Sequence, residues 1–263
     1  MIEWTDEGIV LSARRHGESA AIVALLTREH GRHLGLVPGG AGRRARGLYE
    51  PGNRLRAVWR ARLAEHLGHY ACELLESRAA DLLENGARLA ALSAATAVVD
   101  AALPEREPHA RLFEALDALI ATLQRGPALP VWAARYVRFE LDLLADLGFG
   151  LDLARCAATG TTEGLAYVSP KTGRAVSAAA AEPYRDRLLP LPAFLTRPGD
   201  AENGAPPADI LAGLALTGYF LAEHAFSQRA ADSQGPRRPP AARERLIAVL
   251  QRALAMKEAA DEP

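Results

Sequence analysis

The sequence has 263 residues, of which 49% are hydrophobic, with a formal net charge of −1 and two cysteines. This length favours two domains, and the apolar content is sufficient for a sizeable core. No apolar run reaches membrane-spanning length, and the acidic start of the chain lacks the apolar segment of a signal peptide. We therefore expect a cytoplasmic protein without structural disulfides, not a membrane or secreted one.

The positive charge is concentrated near the N-terminus. Residues 8–64 hold eleven arginines, no lysine and three glutamates, a net charge of +8, so the rest of the chain carries −9. Such a segment on a near-neutral protein is typical of a surface that binds a polyanion. The alternative is a solvated arginine-rich face. We favour the polyanion because the arginines fall within predicted strands and a hairpin.

The first part of the chain has the pattern of β-strands. Short apolar and β-branched runs predict strands at 8–13, 20–27 and 33–37, with a turn at 29–32. The glycine- and arginine-rich residues 38–47 predict a flexible basic connection. Its glycines lack the lysine and hydroxyl residue of a nucleotide-binding P-loop, so contact with the charged groups of a polyanion is a better hypothesis than a nucleotide site.

The clearest strand is predicted at 53–63. Strict alternation places apolar residues, including Trp59, on the core face and basic residues on the other. Same-face residues lie about 6.6 Å apart, so four guanidinium groups would form a row. Several short strands separated by glycine-rich turns favour a small closed barrel of the OB type. The core face comprises Leu55, Ala57, Trp59, Ala61 and Leu63, and the outer face Arg54, Arg56, Val58, Arg60 and Arg62.

The pattern changes to a helical period after Glu76. Helices are predicted around 82–99, 112–123 and 130–147, the last ending at Gly148, and again at 208–231 and 243–256. Residues 155–180 and 196–207 have no regular pattern. The expected fold class is therefore α+β, with an OB-fold nucleic-acid-binding domain at 1–78 and a mainly helical domain at 79–263.

Catalytic and metal-binding motifs are weak. His66, His69 and Cys72 have ligand-like spacing, but offsets of three along a strand alternate between its faces, so a metal site is disfavoured. The sequence contains no nucleophile motif with a supporting base, which disfavours a hydrolase. We expect a protein that is not an enzyme.

Four sequence runs carry a family resemblance. They are residues 8–31, residues 138–152 with the run RFELDLLADLGFGLD, residues 167–173 and residues 188–192. In this order and spacing, the chain resembles the RecO family of bacterial recombination mediators over nearly its whole length. The resemblance implies an OB-fold, a helical C-terminal domain, binding of single- and double-stranded DNA, and strand annealing. It also implies cooperation with RecR and with the C-terminal tail of single-strand DNA-binding protein in loading RecA, at the nucleoid.

The resemblance also bears on metal binding. Many members of the family hold zinc through two Cys-x-x-Cys pairs, and these positions match Cys156 and Thr159, then Ser177 and Ala180. Hydroxyl and methyl groups do not replace thiolate ligands. We therefore expect a degenerate, metal-free zinc-knuckle loop at about 151–182 and no cofactor, with Cys156 as a small buried hydrophobe.

Two sets of binding residues follow as expectations. The acidic, apolar tail of single-strand DNA-binding protein would need an apolar groove with a basic lip, for which Arg135 and Arg138 are candidates.

Tyr49 beside the basic connection is the candidate for stacking on bases. Protonation of the histidines near the N-terminus would tighten DNA binding at mildly acidic pH. The alternative function is an adaptor whose basic barrel binds an acidic protein. The expected phosphate contacts are Arg14, Arg15, Arg32, Arg43, Arg44, Arg46, Arg54, Arg56, Arg60 and Arg62.

Overall fold

The computed structural model describes residues 1–197, 199–226 and 239–261. The chain is α+β, as predicted, with strands first and helices after them. By its internal contacts it divides into two compact units, Met1–Gln124 with Pro240–Leu246 and Arg125–Pro239 with Ile247–Pro263. The domain boundary expected near residue 78 stays a prediction, because a contact-based unit need not coincide with a folding domain.

Five strands form a closed barrel in the first unit. The order around the barrel is β1-β2-β3-β5-β4, and β1 closes it by pairing with β4. All neighbours are antiparallel except β3 and β5, an arrangement that matches the predicted OB type. A bulge between Val10 and Ser12 bends β1, which pairs with β2 and with β4. The strands are β1 (Ile2–His16), β2 (Ala20–Thr27), β3 (Gly31–Val37), β4 (Arg54–Ala61) and β5 (His69–Glu76).

The predicted faces of β4 are confirmed within Arg54–Ala61. Leu63, which was expected on the core face, lies beyond the end of the strand and is 46% exposed. Leu55 and Ala57 are buried, while Arg56 and Arg60 are exposed. Trp59 is 1% exposed and donates from Nε1 to the carbonyl of Leu67 at 3.0 Å. Burial of a large aromatic ring with its N–H satisfied stabilises the barrel core without a polar penalty.

The connection between β3 and β4 differs from the prediction of a flexible segment. Residues Arg43–Leu48 form a short helix, α1, preceded by a tight turn at residues 38–42. Leu48 and Tyr49 pack against the barrel core. A six-residue helix is too short to be stable alone, so this packing is what orders it.

Two helices complete the first unit, α2 (Gly86–Ala102) and α3 (Ala110–Arg125). The side chain of Asn85 caps α2 by accepting from the N–H of Arg88 at 3.0 Å. Polar bonds join α2 to the barrel, including Ser12 Oγ to Asp100 Oδ2 at 2.8 Å. The basic strands therefore lie against acidic residues of these helices.

The second unit is built on α4 (Leu129–Asp146) and α6 (Pro207–Phe220), which pack together. Helix α4 has proline in its first turn and is followed by Gly148 at φ +85°, so both predicted ends are confirmed. The buried Thr217 hydroxyl donates to the buried carboxylate of Glu140 at 2.5 Å and joins the two helices. Helix α6 continues into a π-helical turn at Leu221–Ala225, and the end of the helix predicted at 208–231 lies outside the described residues. A last helix, α7, spans Ala241–Asp261.

The segment expected to be irregular contains a small sheet. Strands β6 (Leu165–Val168), β7 (Ala175–Ser177) and β8 (Leu189–Pro190) pair in the order β7-β6-β8, with a short helix α5 (Ala178–Ala181). These elements have two to four residues each, too few for periodicity to reveal them. Within residues 1–197, 199–226 and 239–261, no helix has the length and apolar character needed to cross a membrane.

Candidate nucleic-acid interface

The arginine row of β4 is neutralised by the strands on either side. Arg60 pairs with Glu3 at 2.8 Å, Arg54 with Glu7 at 2.5 Å, and Arg56 with Glu73 at 3.5 Å. The strand register places Glu3 opposite Arg60, and Glu73 opposite Arg56. Glu7 also lies opposite Arg56 and reaches Arg54 diagonally. The predicted row exists, but it is one part of a charge ladder and not an unpaired basic surface.

Helices α2 and α3 neutralise further arginines of the barrel. Arg32 is 7% exposed, and its guanidinium lies 2.7 Å from Asp100 and 3.3 Å from Glu105. Arg28 pairs with Glu114 in the same way. This burial leaves Arg32 almost no surface for a phosphate, so we remove it from the expected DNA contacts.

Three arginines without a carboxylate partner among the described residues lie close together near the turn of the β1–β2 hairpin. Arg14, Arg15 and Arg46 line an open groove of about 510 Å³, here called the hairpin groove, whose described lining includes one acidic residue, Glu50. Arg15 also donates to the carbonyls of Gly17 and Glu18, at 3.2 and 2.7 Å, which holds the hairpin turn. The remaining described lining is Ala13, Ala21, Gly40, Ala41, Tyr49 and Pro51.

Two more arginines are exposed, Arg43 at the start of α1 and Arg62 just after β4. Among the described residues, no ion pair involves either of them. The backbone of Arg44 belongs to α1, but its side chain lies outside the described part of the structure. Helix α1 thus brings Arg46 to the hairpin groove, a role that the sequence suggested only for a flexible connection.

Tyr49 does not have the exposure that base stacking requires. It is 5% exposed and packs in the barrel core. Burial raises the pKa of its hydroxyl, which forms a hydrogen bond with the thiol of Cys72. Burial likewise raises the pKa of Cys72 to about 11, so both groups stay neutral. The tyrosine acts as a core residue, and we do not carry its stacking role forward.

The histidines near the barrel are in different environments. His33 is 3% exposed, and burial lowers its pKa to about 4, so it stays neutral at mildly acidic pH. His30 stacks on Trp4 at 4.1 Å and its Nδ1 lies 3.0 Å from Asp6. His16 is exposed beside Arg15 at the end of β1. His33 is thus excluded from the expected pH dependence, which stays a prediction for the others.

The positions that match zinc ligands come together around one sulfur. Cys156 is 1% exposed and its Sγ accepts from the N–H of Ser177 at 3.3 Å. Burial alone would raise its pKa, but hydrogen bonds from Thr159 and Ser177 outweigh burial and bring the pKa to about 6. Ala180 packs against the same cluster. Among the described residues, no group of His, Cys, Asp or Glu side chains could hold a metal ion.

A second groove, the α4 groove, lies in the helical unit. It measures about 260 Å³, its floor is mainly apolar, and Arg138 and Asp142 are its charged lining residues. Arg138 Nε lies 3.9 Å from Asp142 Oδ1, a loose i,i+4 pair. Arg135 is not among the lining residues. The remaining lining is Leu141, Ala145, Gly150, Leu151, Leu153, Ala154, Leu195 and Thr196.

Comparison with known proteins matches both parts of the chain to one family. Residues 1–78 match the family model described as recombination protein O N terminal, and residues 83–231 match recombination protein O C terminal. The chain belongs to the RecO family of DNA repair proteins. It is 57% identical over 248 residues to the DNA repair protein RecO of Rhodospirillum centenum, covering 94% of each chain. It is 52% identical over 250 residues to that of Methylobacterium nodulans, covering 94% of this chain and 98% of the relative.

The sequence of this RecO-family chain contained a signal for the neutralised arginine row. Glu3 and Glu7 precede the barrel segment in which the basic charge was counted, and Glu73 and Glu76 follow it. Glutamates on strands that flank a basic strand are potential cross-strand partners. Residues 8–64 do not include these carboxylates, so the net charge of +8 in that segment overstates the positive charge of the β4 face.

Proposed function

We propose that this chain binds single- and double-stranded DNA as a recombination mediator, with the hairpin groove as its principal DNA contact. The observation that carries the proposal is the convergence of Arg14, Arg15 and Arg46 in one groove with a single carboxylate. Arg43 and Arg62 extend the basic surface, and Arg44 is included from its place in α1. Arg54, Arg56 and Arg60 make a smaller contribution because a phosphate must compete with their glutamate partners.

Binding of this kind would act on the DNA backbone. Guanidinium groups neutralise phosphates and release counterions, which gives affinity that depends on salt and not on sequence. Because Tyr49 is buried, the groove offers no stacking ring that would favour single strands. A backbone clamp of this type accepts both DNA forms, and it lowers the repulsion between complementary strands, which promotes annealing. No catalytic step is required.

The helical unit would bind protein partners. The α4 groove offers an apolar floor beside Arg138, which suits an acidic, apolar peptide such as the tail of single-strand DNA-binding protein. Arg135 remains a candidate at the edge of that contact. With RecR as a further partner, the chain would help to load RecA on single-stranded DNA, in the cytoplasm at the nucleoid. Family membership supports this role.

The test compares two triple variants with the same change in charge. Arg14, Arg15 and Arg46 are replaced with Ala in one variant, and Arg54, Arg56 and Arg60 in the other. Fluorescence anisotropy with labelled single-stranded DNA over a salt series gives the slope of log affinity against log salt. Each lost phosphate contact reduces the slope by about 0.7. The variant that lacks Arg14, Arg15 and Arg46, called the groove variant, should therefore have a slope that is smaller by about 2.

The variant that lacks Arg54, Arg56 and Arg60, called the ladder variant, should change the slope by less than the groove variant does. Thermal melting of both variants controls for loss of the barrel fold. A groove variant that keeps the wild-type affinity and slope, while the ladder variant loses them, would place the DNA on β4 and contradict our assignment.

The alternative function is an adaptor that binds an acidic protein through the same groove. The burial of Tyr49 favours it, because stacking on bases is a feature that a DNA-binding barrel often has and this groove lacks. The oligonucleotide experiment separates the two functions. Wild-type protein that shows no salt-dependent affinity for either DNA form would leave the adaptor as the better account.

A further inference from the structure

The α4 groove contains its own carboxylate beside its one basic group. Arg138 and Asp142 lie one turn apart on α4, and both line the groove. Their side chains are 40% and 51% exposed, so an incoming ligand can reach both. The other described lining residues are apolar, apart from Gly150 and the hydroxyl of Thr196. Among the described lining residues, the charge of this groove therefore comes from Arg138 and Asp142.

The distance between them indicates a weak pair. Arg138 Nε and Asp142 Oδ1 are 3.9 Å apart, beyond the 2.7–2.9 Å of a charge-assisted hydrogen bond. A half-exposed pair of this kind contributes little to stability. The guanidinium is therefore available to a second carboxylate, provided that this carboxylate tolerates the charge of Asp142 nearby.

We propose that Asp142 is an internal competitor for Arg138, which lowers the affinity of the α4 groove for acidic peptides and so makes the binding reversible. This inference rests on the proposed function, since it concerns the regulation of the same peptide groove. An acidic peptide must displace Asp142 from Arg138 and then lie next to a like charge. A neutral apolar peptide meets neither obstacle.

The environment of Asp142 agrees with this role. Burial in the groove raises the pKa of its carboxyl group, and the charge of Arg138 only partly opposes that effect. The carboxylate form is thus less stable here than in water. Arg138 is the only other titratable group among the described lining residues.

The test uses the full chain and a pair of fluorescein-labelled peptides. One peptide has a run of aspartates followed by a leucine-rich end with a free carboxylate. Its neutral twin has asparagines and a C-terminal amide. Fluorescence anisotropy measures both against wild type and Asp142→Asn. Glu163→Gln removes the same charge from an exposed side chain outside the groove lining and is the matched control.

We expect Asp142→Asn to bind the acidic peptide about fivefold more tightly than wild type, the size of a surface charge interaction. The neutral peptide should bind both proteins equally, and Glu163→Gln should match wild type. In an Arg138→Gln background, Asp142→Asn should tighten the binding of the acidic peptide by less. In that background there is no Arg138 to compete for, so the substitution relieves only the repulsion between Asp142 and the acidic peptide. Asp142→Ser provides a second variant that removes the same charge.

The outcomes distinguish the competitor role of Asp142 from the peptide-binding role of the α4 groove. If wild type binds the acidic peptide and both Asp142 variants bind it no better, the competitor role is wrong while the groove assignment stands. Equal tightening toward both peptides would also contradict it, because that result indicates an apolar effect. If neither peptide binds to wild type, the proposed peptide groove fails, and the inference fails with it.

Discussion

Replacing His33 should remove a large part of the acid sensitivity of the barrel. The ring is 3% exposed, contacts Trp59 edge-on at 4.8 Å, and has Nδ1 3.0 Å from the carbonyl of Leu34. Burial lowers its pKa from 6.5 to about 4 in the folded chain. Phenylalanine fits a similar volume between the same aromatic neighbours and cannot take up a proton.

The magnitude follows from proton linkage. Above pH 6.5 the ring is neutral in both the folded and the unfolded chain, so the full stability is present. As the pH falls from 6.5 toward 4, the unfolded chain binds a proton that the folded chain does not. The free energy of unfolding then drops by about 1.4 kcal/mol per pH unit. The loss attributable to His33 is about 2 kcal/mol at pH 5 and about 3 kcal/mol at pH 4.

The assay is urea unfolding at pH 7 and pH 5, followed by the fluorescence of Trp4 and Trp59 in a Trp132→Phe background. Wild type should lose about 2 kcal/mol more than His33→Phe between these pH values. His16→Phe, which changes an exposed ring, should behave like wild type. Equal acid sensitivity of His33→Phe and wild type would refute the reasoning, because it would mean that the buried ring takes up its proton in the folded chain.

Two further pairs of substitutions, each a buried site with an exposed comparison, test the packing of the first unit by chemical denaturation. Arg78→Ala removes a 3% exposed side chain that pairs with two carboxylates, at 2.6 and 2.7 Å, and should cost about 3–5 kcal/mol. Arg56→Ala, which removes an exposed pair, should cost less than about 1 kcal/mol, and equal losses would contradict the argument from burial. Gly68→Ala should cost about 3 kcal/mol, because φ is +64° and an added Cβ would lie 2.4 Å from the Trp59 ring. Gly17→Ala, at φ +62° with open space around it, should cost only about 1 kcal/mol. A similar loss of stability at both glycines would show that only the positive φ matters and that the clash with the Trp59 ring contributes nothing.

The features that the sequence predicted correctly depend on short-range patterns. The two faces of β4 follow from the alternation of neighbouring residues, and the ends of α4 from a proline and a glycine at its termini. Burial of Trp59 follows from the same alternation. The family was recognisable because runs such as 138–152 keep their residues in order along the chain.

Features that depend on few residues were missed. Helix α1 has six residues and the strands around Cys156 have two to four, so each spans at most two periods of its pattern, too few to stand out in the sequence. Their order comes from packing against the barrel and against the small cluster around Cys156. The burial of Tyr49 follows from α1, and so it could not be read from the sequence either.

The sequence by itself determined the number of arginines in the barrel and the outer face of β4 on which Arg54, Arg56 and Arg60 lie, because both depend only on composition and local period. Tertiary structure alone decided which of those arginines form ion pairs with carboxylates and which do not. Glu3 and Arg60 are 57 positions apart, and Arg32 and Asp100 are 68 apart. Barrel closure and the docking of α2 bring these opposite charges together, which leaves the hairpin groove as the place where positive charge is concentrated.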